Sequence, residues 1–446
     1  MADDDDSPTG RPTVNRSLLG NLMRLVGRDA ARDLAKLAEA LLSERGEASG
    51  VALAGELLDG YAAQGEDARI EFLRKLANRF GPDRARLERT IERWREDPSP
   101  ANGVALHLAA EPRRQELIRR LNLAPGGTEK LVRMREDLMA AELLHPELET
   151  VDADFSHLFT SWFNRGFLQL KRIDWNTPAA VLERIIRYEA VHEITSWDDL
   201  RRRIDPEDRR CFAFFHPRLP DEPLIFVEVA LARSAPEAIA PLLAPERRPL
   251  AAQRATVAAF YSISNCQDGL RGVALGNFLI KQVVEELKRE LPALRSFVTL
   301  SPVPGFMTWL RRERAARSSV WLADGERETL AQLDAVDWQQ DQAKLRALRP
   351  LLSAALAEYL LRARDRKGRP LDPVARFHLN NGARLERINW LGDVSDKGLV
   401  QGAGFMVNYL YDPFQIERNH EAFAREGRIV AAGAVRRLLR SSPEGV

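Results

Sequence analysis

Residues 255–287 read A-T-V-A-A-F-Y-S-I-S-N-C-Q-D-G-L-R-G-V-A-L-G-N-F-L-I-K-Q-V-V-E-E-L, and they decide the fold class of the later part of the chain. Ala255 to Ser264 reads as a β-strand. Gly269 and Gly272 break the pattern and predict a loop. Leu275, Leu279, Val283 and Leu287 then recur four apart, widened by Ile280 and Val284, which predicts a helix over Leu275–Leu291. Strand, glycine loop and helix together make an anion site. Backbone N–H groups at a helix start are unpaired, and the helix dipole favours negative charge there. The spacing is not G-x-G-x-x-G, and no G-K-[ST] follows, so two common phosphate motifs are excluded.

Further short β-rich runs occur at Cys211–Phe215, Leu224–Ala230 and Arg295–Leu300. They alternate with helical runs such as Ala179–Tyr188, which predicts an α/β domain. The segment 326–364 reads as helix. Before about residue 168 the texture is helical throughout. Leu18, Leu19, Leu22, Leu25 and Val26 form one apolar stripe, and Leu131, Met134, Leu138 and Ala141 another, with Thr128 placed to cap the second. Breaker clusters such as F-G-P-D and A-P-G-G separate these runs. The expected organisation is α+β with two domains: a tail over 1–15, an all-α helical bundle over 16–168, and an α/β domain over 169–446.

The chain has 446 residues, a formal charge of +1, 45% apolar and 29% charged residues. No strong field recruits nucleic acid or an anionic membrane, and no apolar run is long enough to span a bilayer. Arg201, Arg202 and Arg203, like Arg311, Arg312, Arg314 and Arg317, read as solvated helix faces. Two cysteines, Cys211 and Cys266, provide neither a disulfide framework nor a C-x-x-C pair. Both read as buried thiols. The seven histidines include no pair three to five apart, so helical metal-ligand spacing is absent. No metal and no separate cofactor are expected. The acidic start, A-D-D-D-D-S-P, is unlike a secretory signal or a mitochondrial presequence, and the tail S-S-P-E-G-V is no peroxisomal address. A cytoplasmic location is expected.

Two residues stand out by position. Ser301 follows the strand R-S-F-V-T-L, where ligands of open α/β sheets bind, although it equally suits a cap for the helix after it. His378 lies in D-P-V-A-R-F-H-L-N-N-G-A, where a core role is the commoner one for a lone histidine.

Family likeness adds to this. The loop resembles the Q/R-x-x-G-x-G/A loop of GNAT acyltransferases, which cradles the pyrophosphate of coenzyme A. Arg271 and Gly276 match it, and Ala274 stands at its first glycine. Four strings in one order resemble malonyl-CoA decarboxylases: F-Y-S-I-S-x-x-Q-x-G-L-x-G-V-x-L-G, L-S-P-V-P-G-F, F-H-L-x-N-G-A, and R-I-N-W-L-G-D-V-S with N-Y-L-Y after it. This likeness implies a helical amino-terminal domain for homo-oligomerisation and a GNAT acyltransferase-like α/β domain. It implies malonyl-CoA as substrate, with coenzyme A part of it. It assigns coenzyme A binding to Arg271, Gly272, Val273, Ala274, Leu275, Gly276 and Asn277. Ser301 and His378 match the catalytic serine and histidine, both also touching substrate, and Tyr411 matches a tyrosine near the active site.

Decarboxylation of a malonyl thioester needs an oxyanion donor and a proton source, and the thioester itself is the electron sink. The expected roles are His378 as proton donor and Ser301 as hydrogen-bond donor to the malonyl group. Ser301 as a nucleophile activated by His378 is the alternative mechanism. A GNAT-type acyltransferase and a non-catalytic acyl-CoA-binding regulator are the alternative functions. The first needs an acceptor site, and the second predicts binding without turnover.

Overall fold

A computed structural model of the protein describes residues 33–43, 47–273, 279–316, 321–335 and 338–440. The tail 1–15, the stripe Leu18–Val26 and loop residues Ala274, Leu275, Gly276 and Asn277 lie outside the described residues. Two compact units divide the chain, Met1–Phe155 and Ser156–Val446.

In the first unit the described chain forms helices Leu34–Leu42, Glu47–Ala62, Glu66–Arg79, Arg84–Glu96, Pro100–Ala110, Arg113–Leu121 and Gly127–Ala141. Asp33, Asp83 and Ser99 cap three of them by accepting backbone N–H groups. Leu131, Met134, Leu138 and Ala141 are buried, as their spacing predicts. The cap of that helix differs from the expectation. Gly126, at φ +67°, is the N-cap, while Thr128 lies inside the first turn and bonds Asn122 Oδ1 at 2.7 Å. The cause is a tight turn out of the preceding helix, since a Cβ at Gly127 would collide with the Leu121 carbonyl oxygen. Among the described residues charge enters this core in pairs, Arg114 with Asp154 and Arg135 with Asp152.

The second unit is built on a mixed sheet. Its strands are β1 (Gln169–Ile173), β2 (Arg209–His216), β3 (Leu219–Ala232), β4 (Val257–Asn265), β5 (Ser296–Thr299), β6 (Ser301–Pro302), β7 (Arg384–Asn389) and β8 (Met406–Leu410). They run in the order β1-β2-β3-β4-β5-β8-β6, with β7 paired to β8. All the paired neighbours are antiparallel except β4 and β5. A parallel pair needs a crossover, and helix Leu279–Glu290 lies in it, with Leu279, Val283 and Leu287 buried. The architecture is the expected one in outline, a helical region followed by an α/β domain on a mixed sheet.

Several local readings change. Strands β1, β7 and β8 were not legible as strands; β1 carries charged residues at exposed positions and β7 at half-buried ones. Ser301 does not end a strand but begins β6, paired to Val407 of β8. The stretch 326–364 is broken into helices Asp324–Ala331 and Gln342–Leu361, the second capped by Asp341. Arg203 is not solvated: it is 4% exposed and ion-paired to Glu228 and Asp199. Cys211 and Cys266 are both buried, and burial raises both thiols above their ordinary range. Among the described residues no helix is long and apolar enough to cross a membrane.

Candidate active site

The site begins with a gap in the sheet. β4 and β5 pair from Val257↔Ser296 to Phe260↔Thr299, and Leu300 N–H still reaches the Phe260 carbonyl at 2.8 Å. Beyond that point β4 runs on to Asn265, but the chain at Ser301 turns to pair with β8. A bulge helps to part the strands: Glu228 faces Ser262 and Val229 faces Phe260, so Tyr261 is the extra residue on β4. The resulting cavity has a volume of about 240 Å3. Phe260, Tyr261, Ile263 and Asn265 of β4 form one wall, and Ser301 and Pro302 another. Pro373, Val374, Phe377 and His378 close it with Val191. Among the described residues no Lys, Arg, Asp or Glu lines it.

At this cavity four side chains form a hydrogen-bonded chain. Tyr411 Oη lies 2.8 Å from His378 Nδ1, and His378 Nε2 lies 3.0 Å from Ser301 Oγ. Ser301 Oγ donates to Thr299 Oγ1 at 2.9 Å. Thr299 Oγ1 also accepts the Tyr409 N–H at 3.1 Å, and its own proton faces the Val407 carbonyl at 3.5 Å. Among the described residues the Tyr411 hydroxyl bonds His378 alone. It therefore donates to Nδ1, which leaves the His378 proton on Nε2, facing Ser301. Tyr409 stacks on the imidazole with ring centroids 4.5 Å apart.

Local sequence explains each placement. Asp372 caps helix Pro373–Asn380 by accepting the Ala375 N–H at 2.8 Å, and proline suits the first helical position. Gly382, at φ +80°, ends that helix, and Ala383 N–H closes back on the His378 carbonyl at 3.0 Å. The string D-P-V-A-R-F-H-L-N-N-G-A thus encodes both ends of the helix that holds His378. Thr299 and Ser301, and likewise Tyr409 and Tyr411, are two apart in extended chain and share a face. Asn408 Nδ2 donates to the Thr299 carbonyl at 2.6 Å, filling the gap where the β5–β8 ladder is interrupted.

Burial sets the charge state. His378 is 2% exposed with no carboxylate beside it, and burial lowers its pKa to about 3. The imidazole is therefore neutral at physiological pH, and any proton it gives is one that neutral imidazole carries. Burial likewise raises the Tyr411 hydroxyl well above its ordinary range.

The expected residues Ser301, His378 and Tyr411 are thus brought together. Arg271, Gly272 and Val273 lie on the loop after β4. Gly272 takes φ +80°, which explains a glycine there, and Arg271 is exposed and bonds Asp268 at 2.7 Å. Thr299 and Asp372 were missed, although both left a signal. Thr299 stands two before Ser301 in a strand, and D-P ahead of an apolar run marks a helix start. Among the described residues no group of three or more His, Cys, Asp or Glu side chains could hold a metal ion.

Comparison with known proteins agrees with this architecture. The signature of the malonyl-CoA decarboxylase C-terminal domain matches residues 166–446, and that of the N-terminal domain matches 80–163. The mitochondrial malonyl-CoA decarboxylase of Anser anser anser is 36% identical over 400 residues, covering 82% of this chain and 79% of the relative. The crystal structure of malonyl-CoA decarboxylase from Rhodopseudomonas palustris is 60% identical with a TM-score of 0.89, covering 92% of this chain and 100% of that one. Its counterpart from Agrobacterium vitis is 56% identical with a TM-score of 0.88 and the same coverage. Both halves of the chain match, in order and at high identity, so the protein belongs to the malonyl-CoA decarboxylase family.

Proposed function

We propose that the protein converts malonyl-CoA to acetyl-CoA and carbon dioxide, with His378 as proton donor and Ser301 as hydrogen-bond donor to the malonyl group. The observation that carries this reading is the directed chain Tyr411–His378–Ser301–Thr299 at the edge of a cavity without a formal charge. A malonyl carboxylate in such a cavity has no cation to hold its charge in place. Loss of carbon dioxide moves that charge onto the thioester, so an apolar wall disfavours the ground state more than the transition state.

The electron balance is simple. The bond between the carboxylate carbon and the α-carbon breaks, and its pair passes to the α-carbon and thioester oxygen as an enolate. The Ser301 hydroxyl swings from Thr299 to the malonyl group. His378 Nε2–H gives its proton to the α-carbon, while Tyr411 gives its own to Nδ1. The carbanion is a far stronger base than a phenolate, so this two-proton relay runs downhill. Solvent restores the Tyr411 proton after acetyl-CoA leaves. No metal or organic cofactor takes part, because the thioester accepts the electrons. A nucleophilic Ser301 would need the opposite tautomer, with the His378 proton on Nδ1. The Tyr411 proton would then have no acceptor among the described residues, which favours the donor role.

In this reading the loop Arg271–Asn277 holds the coenzyme A pyrophosphate. The family likeness further supports a homo-oligomer through the helical region.

The test is to mix purified protein with malonyl-CoA alone and follow acetyl-CoA and carbon dioxide. Equal yields are expected. Ser301→Ala and His378→Asn should each lower kcat by about 10²–10³-fold, as loss of one oxyanion-type donor does. Malonyl-CoA that binds but stays intact, or normal turnover in both variants, would sink the reading.

A further inference from the structure

Asp372 is 1% exposed, and no cation is among the groups that act on it most strongly. Its neighbours are neutral donors: the Ala375 N–H on Oδ1 at 2.8 Å, the Tyr359 hydroxyl on Oδ2 at 3.3 Å, and the backbone N–H groups of Gly305 and Val374. Burying a carboxylate without a cation opposes folding. Helix capping alone does not demand it, since asparagine or serine caps as well as aspartate. The second oxygen is therefore the informative one.

That oxygen lies where three elements meet. Tyr359 comes from helix Gln342–Leu361, and its hydroxyl sits directly beneath Gly305. A Cβ at Gly305 would collide with that hydroxyl. Gly305 closes the S-P-V-P-G turn that begins at Ser301. Asp372 itself starts the helix that carries His378. One carboxylate thus touches the turn below Ser301 with one oxygen and the helix of His378 with the other.

We propose that Asp372 is a positioning residue, which sets the Ser301–His378 distance by tying the His378 helix to the Ser301 turn through Tyr359 and Gly305. It touches neither substrate nor reacting atoms and acts through the pair, so the proposal rests on Ser301 and His378 being the reacting residues. Burial raises its pKa to about 6. The titratable groups facing it are Tyr359 from helix Gln342–Leu361 and Tyr409 from β8, both raised above the ordinary phenol range, while Arg376 acts on Tyr359 from the carboxylate's own helix. Of these groups only Asp372 changes charge near neutrality.

Asp372→Asn tests the lock. The amide oxygen still caps the helix, but its NH2 meets the Tyr359 and Gly305 donors. The expected result is a kcat lower by about 10–100-fold, the effect of a misplacement of about 1 Å, with KM within about twofold. The acid limb of kcat near pH 6 should disappear. In a Ser301→Ala background the same change should cost less than about twofold, because a lock acting through the pair has nothing left to position. Wild-type kcat in Asp372→Asn, or an equal loss in both backgrounds, would overturn the proposal. Normal turnover in Ser301→Ala alone would instead remove the reading beneath it, and the proposal with it. If Asp372→Asn does not fold, Tyr359→Phe carries the same test: it keeps the ring and deletes only the donor, and it should show the same split between kcat and KM.

Discussion

The α/β domain buries two polar clusters, one charged and one neutral. In the charged cluster Arg203 pairs with Glu228 at 3.3 Å and Asp199 at 3.2 Å, and also donates to the carbonyls of His192 and Glu193. Glu189 stands close by, accepting from Ser262 and Ser264. Even so, Glu228 Oε1 and the Tyr261 hydroxyl have no hydrogen-bond partner among the described residues. In the neutral cluster Thr299, Ser301, His378 and Tyr411 carry no charge, and every side-chain polar atom has a partner. A charge network of this kind holds elements together at a desolvation cost. A neutral, fully bonded chain keeps its protons in defined places and leaves a donor at the cavity. Among the described residues no carboxylate orients His378, which sets this site apart from a Ser-His-Asp triad and fits proton donation better than activation of a nucleophile.

The comparison is broken most severely by removing the cation of the charged cluster. Arg203→Met leaves Glu228, Asp199 and two carbonyls without their partner. The expected loss is about 3–5 kcal/mol of stability, measured by urea denaturation at about pH 9, above the Glu228 pKa of about 8. Arg203 also holds the carbonyls of His192 and Glu193, next to Val191 of the cavity wall, so kcat should fall along with stability. A stability within 1 kcal/mol of the parent would mean that the network contributes little.

Opposite pH dependences sharpen the contrast. Desolvation and the nearby Glu189 raise Glu228 to about 8, against about 4.3 for an unfolded glutamate. The folded state therefore holds a proton that the unfolded state has lost. This contribution is full below pH about 4.3 and is lost as pH rises through about 8. His378 is shifted the other way, to about 3 from about 6.5. Its contribution is full above pH about 6.5 and falls away as pH drops towards 3, because only the unfolded chain takes up the proton. Thermal unfolding across pH should show Glu228→Gln flattening the alkaline fall and His378→Gln the acid one. If both variants keep the parent's slopes, neither group is linked to folding.

These two clusters also mark where sequence reading ends. The strand–loop–helix of 255–287 was legible because its periods are local, and Ser301, His378 and Tyr411 were legible because their strings resemble a family. The Arg203–Glu228 pair was not, since R-R-R reads as a solvated face and its partner lies on β3, distant in sequence. β8 was missed as a strand, yet it supplies Tyr409 and Tyr411 to the site. The neutral state of His378 was also out of reach, because it depends on burial by Tyr409 and the helix 373–380, a tertiary property. Asp372 was half-legible: D-P announced a cap, but nothing local announced Tyr359 and Gly305 on its second oxygen.

The smallest expected effect tests the neutral chain at its far end. Tyr411→Phe keeps the ring, including its edge contact with Phe260, and removes one hydroxyl. His378 Nδ1 then loses its donor in a dry environment, and proton transfer from Nε2 no longer has a second proton to follow it. A transition state that gains from this relay should lose about tenfold in kcat, or about 1.4 kcal/mol. KM should stay nearly constant, because Tyr411 does not line the cavity. The solvent deuterium isotope effect on kcat discriminates further: two protons move together in the parent and one in the variant, so the effect should shrink. A variant with parental kcat and isotope effect would mean that His378 gives its proton without help, and that Tyr411 only holds the ring in place.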